Sequence, residues 1–197
     1  KLPAGIGSQL QQDMKELVNE LKEEIPEAFT GEEYEEHKNE IRDNYQQKSN
    51  QIMEEFRQEA RDRGFILENT AYGSVPIPLN EAGDPIRQDE FQQLAEDKRQ
   101  ELRQDSQKIQ NDLEQVRQKI RKLKVEAQAE LKELEKKIAG SAIQPIVASL
   151  EEKYKDCPQI IDYLEEVQVD IIQNLDEFKD IDKNGSSPQK LALAYMQ

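Results

Sequence analysis

The chain has one cysteine and one histidine among its 197 residues, and no long apolar run. A single cysteine, Cys157, excludes an internal disulfide and fits a reducing compartment. With His37 as the only histidine, a His/Cys zinc cluster has too few parts, and Cys157, with no histidine near it in sequence and Pro158 directly after it, reads as a structural or surface residue and not as a nucleophile. The apolar stretches fall far short of the ~20 residues of a membrane helix, which points to a cytoplasmic protein with no membrane partner. No secretory signal is legible: Lys1 is followed by Pro3 and Gly5 without an apolar core. The missing Met and the cut-like ends read as a segment of a longer chain. Apolar residues make up only 35% of the total, against a usual ~45–50%. That scarcity does not suit a deep globular core; it suits long helices that each bury one stripe.

Charge is plentiful but one-sided. There are 42 acids against 27 bases, net −15. Nucleic acid is not an expected partner, because phosphate contacts need clustered Lys and Arg. Anionic membranes are disfavoured for the same reason.

Helical periodicity dominates. Leu10, Met14, Leu17, Leu21 and Ile25 form one face, which Pro26 and Thr30-Gly31 are expected to interrupt. A second helix is predicted from about Glu32 to Arg63, with Gly64 as its stop and a stripe at Tyr34, Ile41, Tyr45, Ile52 and Phe56. Phe65-Ile66-Leu67 and Val75-Pro76-Ile77-Pro78-Leu79 then read as a short hairpin, its second strand an edge because of the two prolines. From about Asp89 a very long helix is expected. Its heptad seam runs through Ile109, Leu113, Val116, Ile120, Leu123 and Ala127, and Gly140 and Pro145 should kink or break it. Pro158 can open a last helix faced by Ile160, Leu164, Val167, Ile171, Leu175 and Phe178. Asp180 to Pro188 is linker-like.

These elements imply a mainly α fold: an antiparallel coiled-coil helical hairpin, a helical-bundle base and a small β-hairpin at the tip. The expected division is a base of 1–31 with 128–180, an arm of 32–127 whose β tip covers about 65–87, and a linker at 181–197 with the start of a next domain. Residues 1–64 carry 9 bases and 16 acids, and residues 96–155 carry 14 bases and 12 acids. If Arg63 lies level with Ala95, the acids near Glu32 to Glu40 lie beside Arg117 to Lys124, and Tyr34 faces Lys124. Charge would then select the register.

Reactive chemistry is sparse. Glu33 and His37 have the spacing of a metal pair, which equally fits a solvated helix face. Ser141 lies near Lys136 and Lys137 in sequence alone. No phosphate-binding loop is present, and no carboxylate sits in an apolar setting that would tune it. No catalytic, cofactor-binding or metal-binding residue is therefore assigned. Phe65, Leu67, Tyr72, Val75, Ile77 and Leu79 are the candidate contact surface for a partner, against the plainer reading that they pack together and cap the arm.

Several blocks in order resemble one family. Leu2-Pro3-Ala4-Gly5, Asp13-Met14, Ile25-Pro26-Glu27-Ala28-Phe29, Gly64-Phe65-Ile66-Leu67, Val75-Pro76-Ile77-Pro78-Leu79, Tyr163-Leu164-Glu165-Glu166-Val167-Gln168 and the run from Asp170 to Phe178 resemble the helical region of Lon-like ATP-dependent proteases, in the LonC-related branch. Pro145 and Ala95 depart from that pattern. The resemblance implies a helical insertion in an AAA+ module, a Ser–Lys peptidase domain outside this chain, and a ring homo-oligomer whose other subunits are partners. It implies ATP as a cofactor of the parent module, none in this segment, and unfolded or damaged polypeptides as substrates. The implied function is substrate recruitment, filtering or gating at the ring entrance. Two alternatives stand beside it: a free-standing coiled-coil chaperone or adaptor, and a structural spacer.

Overall fold

In the computed structural model, residues 6–71 and 73–179 are described. The linker and next-domain start expected at 181–197 lie outside them. The described chain is mainly helical, with one two-stranded antiparallel hairpin. Its elements are α1 (Ile6–Ala28), α2 (Glu32–Asp62), β1 (Phe65–Thr70), β2 (Gly73–Pro78), α3 (Gln88–Gln93), α4 (Glu96–Lys153), α5 (Pro158–Gln173) and a one-turn α6 (Asp176–Lys179). They divide into one unit made of residues up to Glu40 and from Ala129 onward, and a second unit, Ile41–Gln128.

The first unit is built from apolar stripes. Met14, Leu17, Leu21 and Ile25 of α1 meet Ala139, Ile143 and Val147 of α4. Ile160, Leu164, Val167 and Ile171 of α5 close the cluster with Leu175 and Phe178. Pro158 stands in the first turn of α5, where its missing N–H leaves no bond unmade. Beside this core, Tyr34 is buried against Phe29 in an edge-to-face pair with centroids 5.1 Å apart, and its hydroxyl lies 3.2 Å from Glu135.

Four expectations need correction. Pro26 does not end α1, which runs on to Ala28. Ile25 beside it is fully buried, so packing holds the turn despite one lost backbone bond. Gly140 and Pro145 do not break α4. Pro145 is exposed, while Ala139, Ile143 and Val147 keep the other side of the helix in the core. The long helix does not start near Asp89: α3 stands alone, and Leu94 is extended (φ −66°, ψ 150°) before α4 begins. The register also differs. Tyr34 meets Glu135, not Lys124, and Arg63 bonds Asp112 at 2.7 Å, far from Ala95.

The second unit has its own cluster: Phe56 and Ala60 of α2, Phe65 of β1, and Ile109, Leu113 and Val116 of α4. Phe65 and Leu67 of the hairpin cover part of the α4 seam. This explains the register, because α4 is shared between the end of α2 and the hairpin, and α2 does not track α4 to its N-terminus.

One polar cluster lies inside the first unit. Asp13 of α1 is 7% exposed. Its Oδ1 accepts a hydrogen bond from Lys153 Nζ at 2.8 Å and its Oδ2 one from Tyr154 Oη at 2.5 Å. Burial alone would raise the Asp13 carboxyl. The hydrogen bonds from Lys153 and Tyr154, with the Lys153 charge, outweigh it and hold the group below the ordinary carboxylate value. Burial, and then the bond to Asp13, pushes the Tyr154 phenol up to about 12. The contribution of Asp13 is thus fully present above its ordinary value and lost as pH falls from there through the lowered value of the folded state. That of Tyr154 is complete below pH 10.0 and lost as pH rises toward about 12. Asp13→Asn should cost about 2 kcal/mol at neutral pH, the scale of a hydrogen bond to a charged group. In urea melts followed by circular dichroism, the gap between wild type and variant should begin to narrow as pH falls through about 4, the ordinary carboxylate value, and close only below the lowered value of the folded state, where the carboxylate is protonated in both states of the wild type. A gap constant across that range would remove Asp13 as the source.

Candidate functional site

Gly64, at φ +79°, ends α2 in the left-handed region and turns the chain into β1. The strands pair Ile66 with Ile77 and Glu68 with Val75, while Leu67 faces Pro76 and Phe65 faces Pro78. Leu79 N–H donates to Gly64 O at 2.8 Å, which makes 64 and 79 a hydrogen-bonded pair. Pairs alternate along an antiparallel ladder, so Pro76 and Pro78 fall at the positions that need no inward donor. Thr70 Oγ1 and Gly73 O close the two-residue connection at 2.7 Å. Gly73 is at φ +113°, and a Cβ there would stand 3.2 Å from Arg117 Nη2, so this end of the hairpin rests on α4.

Alternation puts Phe65, Leu67, Pro76 and Pro78 on one face and Ile66, Val75 and Ile77 on the other. After β2 the chain bends at Asn80, whose side-chain oxygen accepts from the N–H groups of Ala82 and Asp84. Ile86 N–H then bonds Pro78 O at 2.8 Å, and α3 follows. Between β2, α3 and the early turns of α4 lies an open groove of about 630 Å³. Ile77, Pro78, Ile86, Phe91 and Leu102 supply its apolar lining. Gln88, Gln107, Gln110 and Ser106 supply uncharged donors and acceptors. The Arg103 guanidinium sits 5.8 Å from the Phe91 ring centre, a cation held on an aromatic face.

Of the candidate contact residues, Ile77 lines this groove. Phe65 is 1% exposed and belongs to the interior of its unit, and Leu67 packs on the same cluster. Phe65 is thus covered, and Leu67 is partly so. Val75 and Leu79 are half-buried on the hairpin but are not in the groove lining, and Tyr72 lies outside the described residues. Ile86, Phe91, Leu102 and Arg103 were not among the candidates. The signal for them was the isolated Ile86 and Phe91 in a polar stretch directly after a turn.

Elsewhere the polar groups turn inward on their own helices. His37 Nδ1 lies 2.8 Å from Glu33 O, and Ser141 Oγ donates to Lys137 O at 3.1 Å. Cys157 is half-buried at the N-terminal cap of α5. Among the described residues no group of three or more His, Cys, Asp or Glu is placed to hold a metal, so Glu33 and His37 gain no third ligand. No helix among them is long and apolar enough to cross a membrane. Comparison with protein-family models, with curated proteins and with solved structures finds no match to this chain.

Interior and groove should separate under mutation. Phe65→Ala should cost about 3–5 kcal/mol of stability. Ile77→Ala, at a half-buried position, should cost about 1 kcal/mol. Equal losses in urea unfolding would contradict the assignment of Phe65 to the core and Ile77 to the groove wall.

Proposed function

We propose that this chain is a non-catalytic helical domain of a Lon-like ATP-dependent protease that recruits, filters or gates substrates at the ring entrance. It does so by holding an extended stretch of unfolded polypeptide in the groove between β2, α3 and α4. The observation that carries the reading is the groove's lining: five apolar side chains beside three glutamines and a serine, with one cation engaged by Phe91. Apolar walls accept side chains that an unfolded chain exposes and a folded one hides. Neutral amide groups can bond a main chain whatever its sequence, without demanding a charge from it. Binding of this kind is tolerant, as a degradation machine requires.

The remainder of the reading rests on the resemblance of the sequence blocks. ATP would be used by the AAA+ module of the parent, peptide hydrolysis by a Ser–Lys dyad outside this chain, and the setting would be the cytoplasm. A free-standing chaperone or adaptor would use the same groove without those neighbours. A spacer would not use it at all.

A photo-reactive amino acid placed at Ile77 of the full parent chain should cross-link a permanently unfolded polypeptide, while one placed at exposed Glu23 of α1 should not. Ile77→Glu should raise KM for that polypeptide about tenfold, the scale of one lost apolar side chain, and leave the hydrolysis of a short fluorogenic peptide unchanged. Cross-linking at Glu23 alone, or an unchanged KM, would rule out the groove as the contact.

A further inference from the structure

Two large apolar side chains stand out in solvent among the described residues: Val125 of α4, 64% exposed, and Val169 of α5, 54% exposed. Each lies off its helix's apolar seam, which runs through Leu123 and Ala127 in one case and Val167 and Ile171 in the other. A single exposed valine needs no explanation. The surroundings of these two are what connect them.

Residues three and four positions earlier on a helix are the nearest surface neighbours. For Val125 they are Arg121 and Lys122, with Lys124 adjoining. For Val169 they are Glu165 and Glu166, with Asp162 and Asp170 on the same shallow face. All seven charged side chains are exposed. Glu126 is the one acid next to Val125, and no base adjoins Val169. Arg121 already has a partner, Glu114, at 2.6 Å, and Asp170 accepts from Asn174 at 3.0 Å, yet Lys122, Glu165 and Glu166 have no ion pair among those of the described residues. The two patches therefore have one layout with opposite sign: an apolar knob and two charges at the same offsets on the same side.

We infer that the Val125 patch of one copy of this chain docks on the Val169 patch of a second copy. With Val125 placed on Val169, Arg121 falls beside Glu166 and Lys122 beside Glu165 only when the two helices run in the same direction. Reversing one helix would bring the bases opposite Ile172 and Gln173, which offer them no charge. Charge thus sets the orientation and burial of the valines adds affinity. The two patches differ, so the contact is heterologous. Each copy keeps one unused patch, and association continues until a ring closes or a filament grows. The association does not depend on the protease reading, and a chain with no protease attached would show it equally.

Sedimentation velocity of the whole chain tests this. Wild type should associate at about 0.05 M salt and at least about tenfold more weakly at about 0.5 M, where exposed charges are screened within a few ångströms. Arg121→Glu with Lys122→Glu should be monomeric, because both patches are then acidic. Glu165→Lys with Glu166→Lys should be monomeric, because both are then basic. An equimolar mixture of the two variants should associate, and the fourfold variant should regain self-association. Circular dichroism of each variant would check that these exposed changes leave the fold intact. A wild type that stays monomeric in both salts would overturn the proposal. So would association that survives both reversals, or a mixture that fails to pair.

Discussion

A helix that carries one apolar stripe cannot keep that stripe from water by itself. Isolated helices are marginal even with favourable sequences, and most of their stability in proteins comes from packing. This chain applies that constraint severely, with apolar residues at 35% and helices as long as the 58 residues of α4. Every stripe must find a cover. In the first unit α1, α4 and α5 cover one another. In the second, α2 and the hairpin share the α4 seam, with Phe56, Phe65 and Leu113 in one cluster. The β-hairpin is therefore a structural lid on a helix before it is anything else. Its outward face and the chain that follows it are what remain for contact.

The abundant charge plays a smaller part than its numbers suggest. Among the described residues most ion pairs join neighbours one or two turns apart on one helix, such as Lys98 with Glu101 and Lys136 with Glu133. Such pairs give roughly 0.2–0.5 kcal/mol each to the local helix and carry no information about its partner. Arg63 with Asp112 and Lys153 with Asp13 are the pairs that reach another element. The acid-rich start of α2 thus does not choose the register. The choice falls to the apolar seam, to Tyr34 against Glu135, and to the place where Gly64 turns the chain.

That division explains what could be read from the sequence. Periodicity is a local property, so the faces of α1 and α5, the stop at Gly64 and the hairpin with its paired prolines were legible in the order of residues. Register and continuity are not local. Pro145 reads as a breaker because its own ring is unfavourable in a helix. Whether the helix survives depends on Ile143 and Val147, whose burial needs α1 and α5 to be in place. Asp13 and Tyr154 lie 141 residues apart, and nothing near either announces the other. The site was partly legible for the same reason. Ile77 was found because the strand is a local signal. Phe91, Leu102 and Arg103 were not, because α3 and α4 bring them to β2 through a bend at Asn80. For Phe65 the sequence left both readings open, contact surface or packed cap, and its burial in the cluster with α4 decides for the second.

The prolines also limit how the groove can work. A peptide that adds itself as a strand gains main-chain hydrogen bonds and needs little from its side chains. The outward donors on the outer edge of β2 would come from residues 74, 76 and 78, two of which are proline, and the Pro78 carbonyl on that edge already accepts from Ile86 N–H. Strand addition on that edge would find one N–H, that of Ser74, where a regular edge offers three. Proline at an edge is a recurrent device against strand-to-strand aggregation. Here it means that a polypeptide in the groove must be held through its side chains, on Ile77, Ile86, Phe91 and Leu102, and through the amide donors and acceptors of Gln88, Gln107 and Gln110, so that affinity follows the apolar content of the segment bound and not its readiness to form a strand.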